Sequence, residues 1–124
     1  MSELIGIRTE DWTRGKVWPT LAAMNVILDL CIVPIGAGVS LSQYVAACEK
    51  VLSQARLKTV LHANGTNIEG EWDQVFAAVR RCHELVHEMG APRIFTVMKV
   101  GTRTDRVQSM DKKIQSVENK LGSP

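Results

Sequence analysis

The apolar pattern of the chain predicts an α+β domain on a four-stranded antiparallel sheet, and three observations lead there. Residues 25–33 are almost wholly apolar and rich in β-branched side chains, as in a strand buried on both faces. Two stretches, from Ser40 and from Trp72, repeat apolar residues at three- and four-residue steps, the spacing of amphipathic helices. Between them, two short alternating stretches flank Asn64-Gly65, a dipeptide suited to the left-handed conformations of a tight hairpin turn.

Taken in order, the first strand sets Val26, Leu28, Leu30 and Ile32 on one face and Ile27, Cys31 and Val33 on the other, with Asp29 among the latter. Ser40 opens the first helix, where Gln43 completes a capping box, and Leu41, Tyr44, Val45, Cys48, Leu52 and Ala55 form its stripe. Lys58 to Ala63 is the second strand and Thr66 to Glu69 the third, stopped by Gly70. The second helix runs from about Trp72 to Met89 on the stripe Trp72, Val75, Phe76, Val79, Cys82 or His83, and Val86, with Gly90 as its cap and Pro92 beyond. Arg93 to Val100 is the last strand. A third helix follows the polar loop 101–105, with Val107, Met110, Ile114, Val117 and Leu121 on one side and Gly122 at its end.

The order β-α-β-β-α-β, then α, is the ferredoxin-like arrangement, in which two split βαβ units give an antiparallel sheet with helices on one face and the first strand at its centre. Two helices cover one face only. The other, with Ile27, Phe95 and Val97, calls for a cover, and a second copy packing sheet on sheet supplies it. The narrow stripe of the third helix also suits a subunit contact. Residues 1–23, with Trp12, Trp18 and Pro19 among mixed charges, read as a poorly ordered arm; the domain proper spans 24–124.

Composition narrows the function. With 45% hydrophobic and 23% charged residues, the 124-residue chain is ordinary globular material that can bury a core without staples. Cys31, Cys48 and Cys82 are odd in number, far apart and set among apolar neighbours. They read as reduced structural thiols in a cytoplasmic protein. A formal charge of +2 does not drive nucleic-acid binding, and no apolar run can span a bilayer. The RNA-recognition module shares the element order but stacks bases on third-strand aromatics; Thr66-Asn67-Ile68-Glu69 has none.

Catalytic motifs fail in context. His83-Glu84-Leu85-Val86-His87 has the H-E-x-x-H spacing that puts two imidazoles on one helical face in zinc peptidases. No third ligand follows at the expected position, where Arg93 stands, so no metal site is expected. There is no G-x-S-x-G elbow, and Gly36-Ala37-Gly38 lacks the rest of a phosphate loop. What remains is a polar cluster of Asp29, His62, Asn64, Thr66 and Glu69. Asp29, in an otherwise apolar strand, either pairs locally, with Arg103 or a backbone amide, or faces a cationic or amine-bearing small molecule. The loop residues Thr102, Arg103 and Asp105 suit either an anion or an intersubunit salt bridge.

Three blocks carry a resemblance. Asp29-Leu30-Cys31-Ile32-Val33-Pro34-Ile35-Gly36, His62 through Trp72, and Lys99-Val100-Gly101-Thr102-Arg103-Thr104-Asp105 resemble the small thiamine-binding, YkoF-like protein family, in the same order over roughly Met24 to Leu121. The resemblance implies the ferredoxin-like fold, dimers made by sheet packing and commonly tetramers. It also implies binding, without turnover, of thiamine or its hydroxymethylpyrimidine half, with no catalytic residues and no cofactor beyond that ligand. The same blocks make Asp29, His62, Gly65, Thr66 and Glu69 the expected pocket, with Trp72 as a wall. The alternative is a structural or regulatory interaction protein with no small-molecule ligand.

Overall fold

A computed structural model of the chain describes residues 3–4, 7–8 and 24–122. The expected arm over 1–23 lies outside these residues except for two strands, β1 (Glu3–Leu4) and β2 (Ile7–Arg8), paired antiparallel. The main unit runs β3 (Asn25–Ile35), α1 (Ser42–Gln54), β4 (Lys58–His62), β5 (Gly65–Glu71), α2 (Trp72–Glu88), β6 (Arg93–Thr102) and α3 (Met110–Leu121). Its sheet has the order β4-β5-β3-β6 with every pairing antiparallel, so the α+β, βαββαβ-plus-helix fold is the one expected.

The period of two in β3 decides which face is the core. Val26, Leu28 and Leu30 point to the helices and are buried. Their cross-strand partners follow them inward: Leu28 opposes Ile68, and both are 0% exposed. Each such side chain contributes roughly 1.5–3 kcal/mol on removal from water. Leu52 and Tyr44 of α1 and Val75, Val79, Cys82 and Val86 of α2 close the core from above. Gly70 lies under the Leu57 and Val75 side chains; a Cβ there would stand 2.6 Å from Leu57 Cδ2.

Helix ends explain the boundaries. The Glu71 carboxylate caps α2 by accepting from the Gln74 N–H at 3.0 Å. Gly90, at φ +107°, closes α2 with its N–H on the His87 carbonyl, while the Ala91 N–H reaches the Val86 carbonyl. The same paired closure ends α1, but Arg56 occupies the left-handed position there, at φ +59°. No glycine marks that stop in the sequence. The capping box expected of Ser40 and Gln43 does not form: α1 begins at Ser42 behind Leu41, with no side-chain cap. Val107 stands outside α3, which Ser109 caps by accepting from the Lys112 N–H at 3.1 Å.

The hairpin also differs in detail. His62 pairs with Gly65, so Ala63 and Asn64 form the two-residue loop, and neither has positive φ. Gly65 is required for space: a Cβ would lie 2.5 Å from the Leu30 carbonyl oxygen.

Candidate functional site

A cleft of about 390 Å³ opens between α1 and the hairpin end of the sheet. Its floor is the stripe residue Tyr44 with Cys48 and Leu52 of α1 and the β3 segment Leu30–Val33; its rim is 61–66. The strand period turns Thr66 inward beside Leu30, and Thr66 is the only buried polar residue among the core-forming positions described. Its hydroxyl donates to the Glu49 carboxylate of α1. A carboxylate has four acceptor directions, so Glu49 keeps capacity for a donor within the cleft. The apolar floor and the single hydroxyl–carboxylate pair form the usual chemistry of a small-molecule site.

His62 stands where the two faces of the sheet meet. Its ring lines the cleft rim, while Nε2 reaches Asp29 Oδ1 on the open face at 2.6 Å. The Asn64 N–H contacts His62 Nδ1 at 3.2 Å, and an amide N–H can only donate. Nδ1 is therefore the acceptor, and Nε2–H donates to Asp29. Asp29 thus has a local partner, although the partner is His62; Arg103 turns elsewhere. Lys99 also sits across from Asp29 in the register.

The expected site residues therefore divide. His62, Gly65 and Thr66 border the cleft, and Asp29 stands behind it through His62. Glu69 lies on the open face opposite Ile27 and Lys58, where its carboxylate accepts the Met110 N–H at 2.6 Å and holds the start of α3. Lys58 pairs with Asp111 in the first turn of α3, which raises the Lys58 pKa. Trp72 begins α2 at the far end of β5, its ring 4.6 Å from that of Phe76. Neither Glu69 nor Trp72 reaches the cleft. Glu49, Tyr44 and Cys48 do, although no sequence motif sets them apart from the rest of α1.

Thr102, Arg103 and Asp105 border a second cavity of about 350 Å³, together with Met24, Ile27 and Gln108. Arg103 grips Asp105 with two hydrogen bonds, at 2.5 and 2.7 Å, and also donates to Gln108. That guanidinium holds the Asp105 carboxyl down at about 2. The Arg103 fork is engaged within its own loop, which lowers its availability to an outside anion. The two histidines of the H-E-x-x-H stretch are likewise engaged: His83 Nε2 meets Thr96 Oγ1 at 2.6 Å, and His87 Nδ1–H donates to the Ala91 carbonyl at 2.8 Å. Among the described residues no group of His, Cys, Asp and Glu is placed to hold a metal ion. No helix among them is long and apolar enough to cross a membrane.

Comparison with known proteins agrees with this architecture. A UPF0045 protein of Synechocystis is 67% identical over 99 residues, covering 80% of this chain and 82% of its own. A UPF0045 protein of Eremothecium gossypii is 41% identical, covering 82% and 97%. A hypothetical protein from Methanocaldococcus jannaschii superposes with a TM-score of 0.71 at 28% identity, over 76% of this chain and 96% of its own. A putative thiamine biosynthesis/salvage protein from Thermotoga maritima shares the fold, at a TM-score of 0.65 and 15% identity over 75% and 98% of the two chains. Residues 28–118 match the family described as Thiamine-binding protein, which takes in most of β3, most of α3 and all that lies between them, with both walls of the cleft. The chain belongs to the thiamine-binding protein family.

Proposed function

We propose that this protein binds thiamine or its hydroxymethylpyrimidine half, without chemical turnover, in the cleft between α1 and the β4–β5 hairpin. The observation that carries the reading is the Thr66–Glu49 pair, a carboxylate anchored by a buried hydroxyl at an otherwise apolar floor, in a member of the thiamine-binding family. An aminopyrimidine presents an exocyclic amine and ring nitrogens that such a pair can bond. A neighbouring carboxylate also attracts the cationic thiazolium. The cleft volume lies within the range of small-ligand sites.

Thiamine at 100 times its Kd stabilises the folded protein by about 2.7 kcal/mol. That is a rise of several degrees in Tm for a domain of this size. Glu49→Gln removes the charge while keeping the shape, and is expected to lose most of that rise. A wild-type Tm unmoved by millimolar thiamine and by millimolar hydroxymethylpyrimidine removes the ligand assignment.

The reading includes self-association through the open sheet face. There Phe95, Val97 and Val60 are exposed beside the half-buried Ile27, Cys31 and Val33. A stable dimer usually covers roughly 800 Å² on each partner. Light scattering that returns a monomer at high micromolar concentration rules this out, independently of the ligand test.

A further inference from the structure

Cys48 and Cys82 lie far apart in sequence, yet the packing of α1 on α2 brings them into contact. Cys82 Sγ sits 3.8 Å from the Cys48 carbonyl oxygen, so this sulfur rests directly on the α1 backbone at Cys48. Small residues permit the approach: Ala78 is buried one turn before Cys82 on the same face of α2. The two thiols differ in access. Cys82 is 0% exposed, whereas Cys48 is 6% exposed and forms part of the cleft floor.

We propose that Cys48 and Cys82 are a redox pair, in which Cys48, reached through the cleft, is oxidised by a peroxide and Cys82 resolves it as an intramolecular disulfide joining α1 to α2. The Cys82 thiol beside Cys48 holds the Cys48 pKa below the ordinary thiol value, against the opposing effects of burial and of Glu49. Contact with Cys48 and burial push Cys82 upward. The sulfur facing the cleft is the one a peroxide meets, and its thiolate is the form that attacks.

In the first step the Cys48 thiolate attacks one peroxide oxygen. An S–O bond forms, the O–O bond breaks, and the leaving hydroxide takes a proton to become water. In the second, the Cys82 thiol gives up its proton as its sulfur attacks Cys48. The S–S bond forms, the S–O bond breaks, and the hydroxide leaves with that proton as a second water. Two thiols lose two electrons and the peroxide gains them. Cys31, on β3 at the same cleft, is the third thiol, away from the α1–α2 contact, and its labelling reports whether the disulfide is confined to Cys48 and Cys82.

The full chain, freed of reductant, is treated with hydrogen peroxide, denatured, alkylated and mapped by mass spectrometry. The expected result is loss of two of the three alkylatable thiols and a Cys48–Cys82 cross-linked peptide, with Cys31 still labelled and both thiols restored by dithiothreitol. In Cys82→Ala the sulfenic acid stays on Cys48 and is trapped there by dimedone. Full alkylation of Cys48 and Cys82 after peroxide overturns the proposal, as does a cross-link that uses Cys31 or a second chain. Should Cys82→Ala fail to fold, the wild-type map decides alone. The outcome does not depend on thiamine, so it stands or falls apart from the proposed ligand.

Discussion

Glu69 offers the sharpest separation between holding the fold together and binding a ligand. Its carboxylate accepts the Met110 N–H at 2.6 Å, one of the orphan donors at the start of α3, beside the Lys58–Asp111 pair. Met110 is the only buried residue of α3, so little else fastens this helix to the sheet. Replacing the carboxylate by an amide in Glu69→Gln keeps an acceptor but removes the charge that favours the bond and the helix N-terminus. A hydrogen bond to a charged group contributes about 1.5–3 kcal/mol and a neutral one about 1. The helix-dipole contribution of an anion is roughly 0.3–1 kcal/mol. The expected loss is therefore about 1–3 kcal/mol, and it falls on local opening of α3. A change of 1.4 kcal/mol is about tenfold in an equilibrium constant. Native-state hydrogen exchange should thus show amides of 113–121 exchanging roughly 5- to 140-fold faster. Amides of β3 and β5 should change little, and the thiamine-induced rise in Tm should persist. Unchanged exchange in α3 refutes the latch. Loss of the thiamine response with the fold intact refutes the placement of Glu69 outside the site.

Other outcomes follow from the same packing. Leu28→Ala, at the centre of the core, should lower stability by about 2–5 kcal/mol in urea denaturation. Arg56→Gly relieves a left-handed backbone position and should raise stability by about 1 kcal/mol, read as a higher urea midpoint. Burial and the neighbouring His87 depress the His83 pKa. The stability tied to neutral His83 is therefore full above the unfolded histidine value near 6.5 and is lost as pH falls below it. His83→Gln should flatten the drop in urea midpoint between pH 7.5 and 5.5, and an equal drop in the variant contradicts this. Saturating thiamine should slow iodoacetamide labelling of Cys48, on the cleft floor, in the native protein; an unchanged rate speaks against the cleft as the binding place.

The architecture was legible wherever one physical signal dominated. The alternation in 26–32, the helical spacing in 72–86 and the glycine after Met89 each appear in the structure close to the expected bounds. The signals that misled were local ones overruled by neighbours. Ser40 and Gln43 have capping chemistry, but the helix starts two residues later. Asn64-Gly65 suggests positive φ, yet Gly65 is needed only because the Leu30 carbonyl lies against its α-carbon. The candidate site was legible only in part, because adjacency along β5 is not adjacency in space. Thr66 and Glu69 point to opposite faces of one strand, so a single pocket cannot use both. Glu49 escaped notice because its one signal, a place beside the apolar stripe of α1, is shared by any flanking surface residue.

The central position of β3 has a consequence for how the chain comes to be folded. Its register with β6 runs from Val26 opposite Thr102 to Ile35 opposite Arg93, so the earliest main-sheet strand to be synthesised completes its pairing with the last. The β4–β5 hairpin closes locally and fast. One edge of β3, however, stays bare until residues 93–102 emerge from the ribosome. That interval leaves a long apolar strand half-paired during translation, the kind of exposed edge that trigger factors and other nascent-chain chaperones cover.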